Sequence, residues 1–345
     1  MSDMPYTRLG NSGLLVSRLA LGTMTFTLGS DFIPGVAKTG QDEATRMVHA
    51  ALDKGINFFD SADGYSQGDA EKALGTALKG RRQDAVICTK IGFRQSERMT
   101  DSGLSRGHIT TSVEGCLTRL DTDVIDLLVL HKTDFTTPLI ETLRSLDDLI
   151  RAGKIRYVGV SNWPAWMVAQ AIEIQRSEGF SPFIAGQYLY NALHRDIETD
   201  VLRMGAQMGL GLMAWSPLAA GMLTGKYDPM ATDKSEGRLN GGDDFLQSDP
   251  ARAAQAIEAL TEIGAAQSKT PAQIALAWIL HQRRDHTVII GASKASHLET
   301  SAQAAEITLT GDDLARLDAI APPARRYPEW FSDMMTDEAH RAALS

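Results

Sequence analysis

Hydrophobic residues alternate along this chain between short unbroken runs and stripes with helical spacing. After the apolar run Val16–Leu21, the residues Ala44, Met47, Val48, Ala51 and Leu52 share one face of a 3.6-residue repeat, which predicts a helix stopping near Gly55. The run Ile56–Phe59 precedes Ala70, Ala73, Leu74, Ala77 and Leu78 at the same spacing, closed by Gly80. Ala85–Cys88 precedes a third stripe, Ile109, Val113, Cys116, Leu117 and Leu120. Ile125–Leu130 is uninterrupted, the pattern of a strand covered on both faces in a parallel sheet. The rhythm continues through the stripe Leu139, Leu143, Leu146, Ile150, the run Ile155–Val160, and Pro164 at a helix start. Next come the short run Phe183–Ala185, the stripe Ile197, Val201, Met204, Met208, and the run Leu210–Ala214. Thr270-Pro271-Ala272-Gln273 has the form of a capping box opening a helix through about Gln282. The run Thr287–Ile290 and helical segments near Ala295–Ala305 and Asp312–Ile320 complete the pattern.

About eight β-then-α units in one chain predict an α/β fold, a (β/α)8 TIM-type barrel, rather than an open sheet. No linker divides the pattern, so a single domain over 1–345 is expected, with its core at about 6–320 and an irregular tail over 321–345. The expected ends of the seventh and eighth strands lie near 215 and 291, an interval of 291 − 215 = 76 residues and more than twice the shortest ones. An insertion therefore follows the seventh strand, with the Gly-, Asp- and Ser-rich Thr224–Ser248 as its loop.

Composition narrows the function. The chain has 345 residues, 43% hydrophobic and 22% charged, an ordinary globular mix. A net charge of −9 speaks against nucleic acid as the main partner, because phosphate backbones select basic faces. No run of 18 apolar residues predicts a membrane span, and MSDMPYTRLG lacks the apolar centre of a signal peptide; a cytoplasmic address is expected. Cys88 and Cys116 offer neither a disulfide framework nor zinc spacing and read as buried small hydrophobes. His281 and His286 lack partners for a metal site. Gly209–Ala214 fits GxGxxA but precedes a strand, so it is not a dinucleotide fingerprint. Nothing in the pattern specifies an oligomeric state.

In such a barrel the site lies at the carboxyl ends of the strands. The residues there are Asp60 with Tyr65 in its loop, Lys90, His131, Ser161-Asn162, Gln187, Trp215-Ser216-Pro217 and Gly291-Ala292-Ser293-Lys294. Asp60, Tyr65, Lys90 and His131 form a chemical set. A phenol has an ordinary pKa of about 10; a neighbouring ammonium is expected to lower it, and a carboxylate to keep the lysine charged. Such a phenol can protonate a carbonyl oxygen while hydride reaches the carbon. Taken singly each residue has a bland reading, a structural ion pair, a rim histidine or a core tryptophan; their convergence at successive strand ends favours the chemical one.

Ile56-Asn57-Phe58-Phe59-Asp60-Ser61-Ala62-Asp63-Gly64-Tyr65 resembles the signature of the aldo-keto reductase family. Thr89-Lys90, Asp126–His131, Gly159-Val160-Ser161-Asn162, Ala214–Leu218 and Gly221–Lys226 are similar to its later blocks, over roughly Tyr6 to Leu317. The resemblance implies a reversible carbonyl reductase using NADPH/NADP+, with NADH left open, and the tetrad Asp60, Tyr65, Lys90 and His131, Tyr65 being the general acid. It implies that Gly22, Thr23, Met24 and Asp60 border the cofactor and that Ser161, Asn162 and Gln187 hold the nicotinamide amide. Trp215 would stack on its ring, and Ser216, Pro217, Leu218, Gly221, Leu223, Gly225, Lys226 and Arg238 would form a strap over the pyrophosphate. Gly291, Ser293, Lys294, His297 and Ser301 would surround the adenosine end. The family often has arginine where His297 stands, and an acidic residue then asparagine where Thr300 and Ser301 stand, which puts the preference for NADPH over NADH in question. Met24, Phe26, Phe93, Trp163 and Tyr190 are expected as walls for a small carbonyl substrate beside Tyr65 and His131, with the tail around Trp330 and Phe331 as a candidate lid. Two other readings are a non-catalytic, cofactor-binding redox-sensing subunit and a lyase forming a Schiff base on Lys90.

Overall fold

The computed structural model describes residues 4–30, 36–230, 246–324 and 326–344. The chain opens with an antiparallel hairpin, β1 (Tyr6–Arg8) and β2 (Leu15–Ser17). Eight parallel strands follow: β3 (Leu19–Gly22), β4 (Phe58–Asp60), β5 (Val86–Ile91), β6 (Ile125–Leu130), β7 (Ile155–Ser161), β8 (Phe183–Leu189), β9 (Gly211–Trp215) and β10 (Thr287–Gly291). They pair in chain order and close between β10 and β3, giving the expected barrel. The helices are α1 (Gln41–Asp53), α2 (Asp69–Ala77), α3 (Arg106–Leu120), α4 (Leu139–Arg151), α5 (Ala165–Glu178) and α6 (Val201–Met208). After the seventh barrel strand come α7 (Pro250–Ala266), α8 (Pro271–Gln282), α9 (Ala295–Ala302), α10 (Gly311–Asp318), α11 (Glu329–Met334) and α12 (Glu338–Leu344).

The apolar run Val16–Leu21 is not one strand. The chain breaks at Arg18, whose guanidinium donates to the Leu280 and Arg283 carbonyls, so Val16 belongs to the hairpin and Leu19 begins the barrel. The hairpin closes the amino-terminal end of the barrel, where Leu9 and Val16 join the inner core with Phe58, Cys88, Leu127, Val129 and Met213. Gly10 permits this: its φ is +58°, and a Cβ there would stand 2.2 Å from the Ile184 carbonyl oxygen. A second, larger core fills the space between strands and helices, including Leu74, Val113, Leu146, Ile172 and Trp278.

Side chains cap the starts of α3, α6, α7, α8 and α10. The Thr270 hydroxyl accepts the Gln273 N–H while the Gln273 side chain accepts the Thr270 N–H, the predicted reciprocal box. Asp249 caps α7, with Pro250 in the first turn. The insertion thus carries a helix that the pattern did not mark: the buried face of α7 is mostly alanine (Ala253, Ala256, Ala259) with Leu260 and Ile263, and it packs on α8. The stripe Ile197–Met208 divides into a 3-10 turn (Asp196–Glu198) and α6, and α9 passes into a 3-10 turn at Gln303–Glu306. The tail, expected to be irregular, holds α11 and α12. Among the described residues no helix is long and apolar enough to cross a membrane.

Candidate active site

The ladder Gly22↔Asp60↔Cys88 aligns the ends of β3 and β4 with the middle of β5, which runs on to Lys90 and Ile91. Beyond the strands the backbone stays tied: Ser61 N–H donates to the Cys88 carbonyl and Asp63 N–H to that of Lys90, at 2.8 and 2.9 Å. Asp60 and Lys90 therefore enter the barrel from adjacent strands. Lys90 is fully buried; its Nζ donates to Asp60 Oδ2 at 2.8 Å and to the Ser61 carbonyl at 2.6 Å. Gln187 Nε2 donates to Asp60 Oδ1 at 2.8 Å, so the carboxylate is held from both sides. Tyr65 opens a 3-10 turn in which Ser66 and Gln67 are left-handed, and the Ser66 hydroxyl donates to the Phe26 carbonyl. That turn lays the phenol ring over the ammonium, 4.7 Å from Nζ to the ring centroid. His131, just past β6, meets the Tyr65 ring edge-on at 5.9 Å and Phe93 at 4.5 Å.

Burial disfavours the Lys90 ammonium, but Asp60 and Tyr65 outweigh it and the pKa is raised. Burial pushes the Tyr65 phenol up, and Lys90 offsets this only in part. The expectation that the ammonium would bring the phenol below its ordinary value is corrected: at this depth desolvation wins, and the phenol stays protonated through neutrality. Burial, then Lys90, holds His131 well below the ordinary imidazole range, so it is neutral at pH 7.

Asp60, Tyr65, His131 and Gln187 line a cavity of about 300 Å³ with Gly22, Met24, Phe93, Ser161, Asn162, Trp215 and Ile289, and Lys90 lies buried behind them. The indole of Trp215 is fixed through Nε1 to Asn162 Oδ1 at 3.1 Å, and Asn162 Nδ2 donates to the Ser161 hydroxyl. Asn162 does this from φ +60°, a left-handed conformation that asparagine tolerates better than most residues. A second cavity of about 300 Å³ shares Thr25, Ser216, Pro217 and Gly291 with the first. Its walls include Lys38, Leu218, Gly221, Lys226, Ser293, His297 and Ser301. At Gly291 an added Cβ would meet no atom within 4 Å, so the floor of the shared cleft is open. An elongated ligand with a flat ring at Trp215 and anionic groups among the lysines fits this donor set. Among the described residues no His, Cys, Asp and Glu group could hold a metal ion.

A model of the Aldo/keto reductase family matches residues 18–322. The chain belongs to the aldo/keto reductase family. It is 33% identical over 340 residues to a probable voltage-gated potassium channel subunit beta of Oryza sativa, covering 95% of this chain and 100% of that one. An uncharacterized oxidoreductase of Bacillus subtilis is 33% identical over 342 residues, with the same coverage. An aldo-keto reductase of Fusarium vanettenii is 29% identical, covering 92% of this chain and 91% of its own length.

Of the site residues that the family resemblance implied, the four tetrad side chains converge in the structure. Gly22, Met24, Ser161, Asn162, Gln187, Trp215, Ser216, Pro217, Leu218, Gly221, Lys226, Gly291, Ser293, His297 and Ser301 line one or both cavities. Thr23 is buried beneath them, its hydroxyl donating to Ser61 Oγ. Leu223 is core, Gly225 ends the strap turn at φ +73°, and Lys294 is exposed at the start of α9. Arg238 lies outside the described residues. Three expected substrate walls are corrected. Phe26 is buried, Trp163 packs edge-on against Phe183, and Tyr190 stacks near Trp278 with its hydroxyl on Glu198; none lines the cavity. Trp330 clusters with Tyr327 and Phe331 and also does not line it. Sequence reasoning missed Thr25, Ile289, Tyr227 and above all Lys38, which follows β3 in a stretch without periodicity.

Proposed function

We propose that the chain is an NADP(H)-dependent reductase of small carbonyl compounds. The observation that carries this reading is the buried Lys90–Asp60 pair under the Tyr65 ring at the wall of an open cavity. A nicotinamide dinucleotide bound along the cleft would supply hydride to the substrate carbon. Trp215, Ser161 and Asn162 would hold its ring end, and Lys38, Lys226 and Lys294 its anionic end. Tyr65, kept protonated by burial, gives its proton to the carbonyl oxygen. Lys90 stabilises the phenolate left behind, and Asp60 keeps Lys90 charged and aimed. Neutral His131 donates a hydrogen bond to the same oxygen. Met24, Phe93 and Ile289 give the substrate an apolar wall, suited to uncharged aldehydes and ketones.

Absorbance of NADPH with a carbonyl panel tests the class. Tyr65→Phe is expected to bind NADP+ as the parent does and to lose turnover by about 10²–10⁴-fold, the usual weight of a general acid; unchanged turnover removes Tyr65 from the mechanism. The relatives named as channel β subunits favour a second reading, a redox-sensing subunit that turns over slowly and retains its nucleotide. Nucleotide release measured beside turnover separates the two. The Schiff-base lyase is disfavoured, since an ammonium with a raised pKa has no free electron pair at neutral pH.

A further inference from the structure

The distal cavity is strongly one-signed. Lys38 from the loop after β3 and Lys226 from the strap line it, Lys294 stands at the start of α9, and His297 sits in the first turn of that helix. No carboxylate lines it among the described residues. Glu43 on α1 accepts the Ala295 N–H and holds Arg46, while Glu299 and Glu306, on α9 and the turn after it, do not line the cleft. From α8 the wall receives only Leu276, and from β10 only Ile290 and Gly291. The charges acting on His297 are therefore Lys226 and Lys294. His297 is exposed at the rim; partial desolvation, then these lysines, hold its imidazole below the ordinary value, which favours the neutral form at pH 7 with the cleft empty of anion.

Resting on the NADP(H) reading above, we propose that His297 is the titrating member of this lysine cluster. The protein takes up a proton when it binds a dinucleotide bearing a 2′-phosphate, and takes up none when the 2′-hydroxyl is free. A phosphate monoester brings nearly two negative charges. Placed among Lys38, Lys226 and His297, it reverses the field at the imidazole and raises its proton affinity. Linkage then requires tighter binding as pH falls through the value for the complex. A guanidinium at this position would be always charged and would give no such dependence. The preference for NADP(H) over NAD(H) is thereby pH-dependent in this chain.

The test measures binding rather than turnover. NADP+, NAD+, adenosine 2′,5′-bisphosphate and 5′-AMP are titrated into the full chain by calorimetry in buffers of different ionisation heat. NADP+ and the bisphosphate are expected to bind about tenfold tighter near pH 6.5 than near pH 8.5, while NAD+ binds alike at both and 5′-AMP follows only the ionisation of its own phosphate. His297→Arg should bind NADP+ tightly at both pH values and His297→Gln weakly at both, each without the parent's excess uptake. The phosphate's own titration contributes in all three proteins, so the quantity read is the parent's uptake in excess of that of His297→Gln. A parent whose proton uptake with NADP+ does not exceed that of His297→Gln overturns the proposal. Absence of binding by either dinucleotide overturns the cofactor reading and this inference with it.

Discussion

Replacing Lys90 by methionine retains the stem and deletes the charge. Asp60, 2% exposed, then loses the charged donor on Oδ2 while keeping Gln187 on Oδ1, and the Ser61 carbonyl loses its donor as well. Removing one member of a buried pair costs about 3–5 kcal/mol, because the other charge remains out of water. At about 1.4 °C per kcal/mol for 345 residues, Lys90→Met should melt roughly 4–7 °C lower. Asp60→Asn strands the ammonium instead and should cost a similar amount. The double variant removes both charges and with them the desolvation penalty, so its loss should fall short of the summed singles by about 2–3 kcal/mol. Urea unfolding of the four proteins at neutral pH, followed by circular dichroism, measures this coupling. All three variants should be inactive, which separates the pair's chemical role from its structural one. A double variant whose loss equals the sum of the singles within about 0.5 kcal/mol would refute the reasoning.

Three further outcomes are expected. Asp63 is buried, and burial with Glu71 nearby pushes its carboxyl up to about 7, whereas the unfolded chain ionises it near the ordinary value. The folded state thus holds the extra proton, so stability falls as pH rises from about 4 to about 7. Asp63→Asn should remove that slope and gain up to about 4 kcal/mol on the parent above the window; parallel urea midpoints from pH 5 to 8 would contradict this. Gly10→Ala should cost more than about 3 kcal/mol in urea unfolding, since its Cβ would overlap the Ile184 and Gly209 carbonyls at positive φ; an unchanged midpoint would count against the tight closure. Phe26→Ala should lose about 3–5 kcal/mol of stability, whereas Phe93→Ala, 40% exposed at the cavity, should shift KM for apolar carbonyls with little change in midpoint. The reverse pattern would return Phe26 to the substrate wall.

The barrel was legible because strands covered on both faces must be continuous apolar runs, and Ile125–Leu130 coincides with β6 residue for residue. The polar ends of those runs marked Asp60, Lys90 and His131 without any knowledge of side-chain direction. Direction is what the pattern lacked. Successive strand residues face opposite sides, so Gln187 enters the barrel to reach Asp60 while Tyr188 turns to the helices and bonds the Trp163 carbonyl. Tyr190 and Trp163 follow strand ends but pack outward, on Trp278 and Phe183, which closeness in sequence to a catalytic end does not disclose. The α7 helix was hidden because its alanine-rich buried face gives a weak periodic signal. Lys38 was hidden because it reaches the cleft from a loop. The sign of the Tyr65 shift depended on depth, and depth is a property of the closed barrel.

The rim is held by strained backbone that glycine would relax, and the choice of residues there explains why it does not. Ser66, Asn162 and Ser216 are all left-handed, at about 1–2 kcal/mol each relative to glycine. Each spends its side chain on the conformation it occupies. The Ser66 hydroxyl bonds the Phe26 carbonyl, Asn162 holds the Trp215 indole, and the Ser216 hydroxyl accepts the Ala220 N–H that starts the strap. A glycine at Asn162 would relieve the dihedral and release the indole; an alanine would keep the strain and release it too. The bonds therefore do more than offset strain, because they fix where the Tyr65 turn, the indole and the strap stand relative to a buried ion pair that cannot move. The inner barrel, apolar from Leu9 to Cys88, supplies the stability that lets this one charged layer and its strained rim persist.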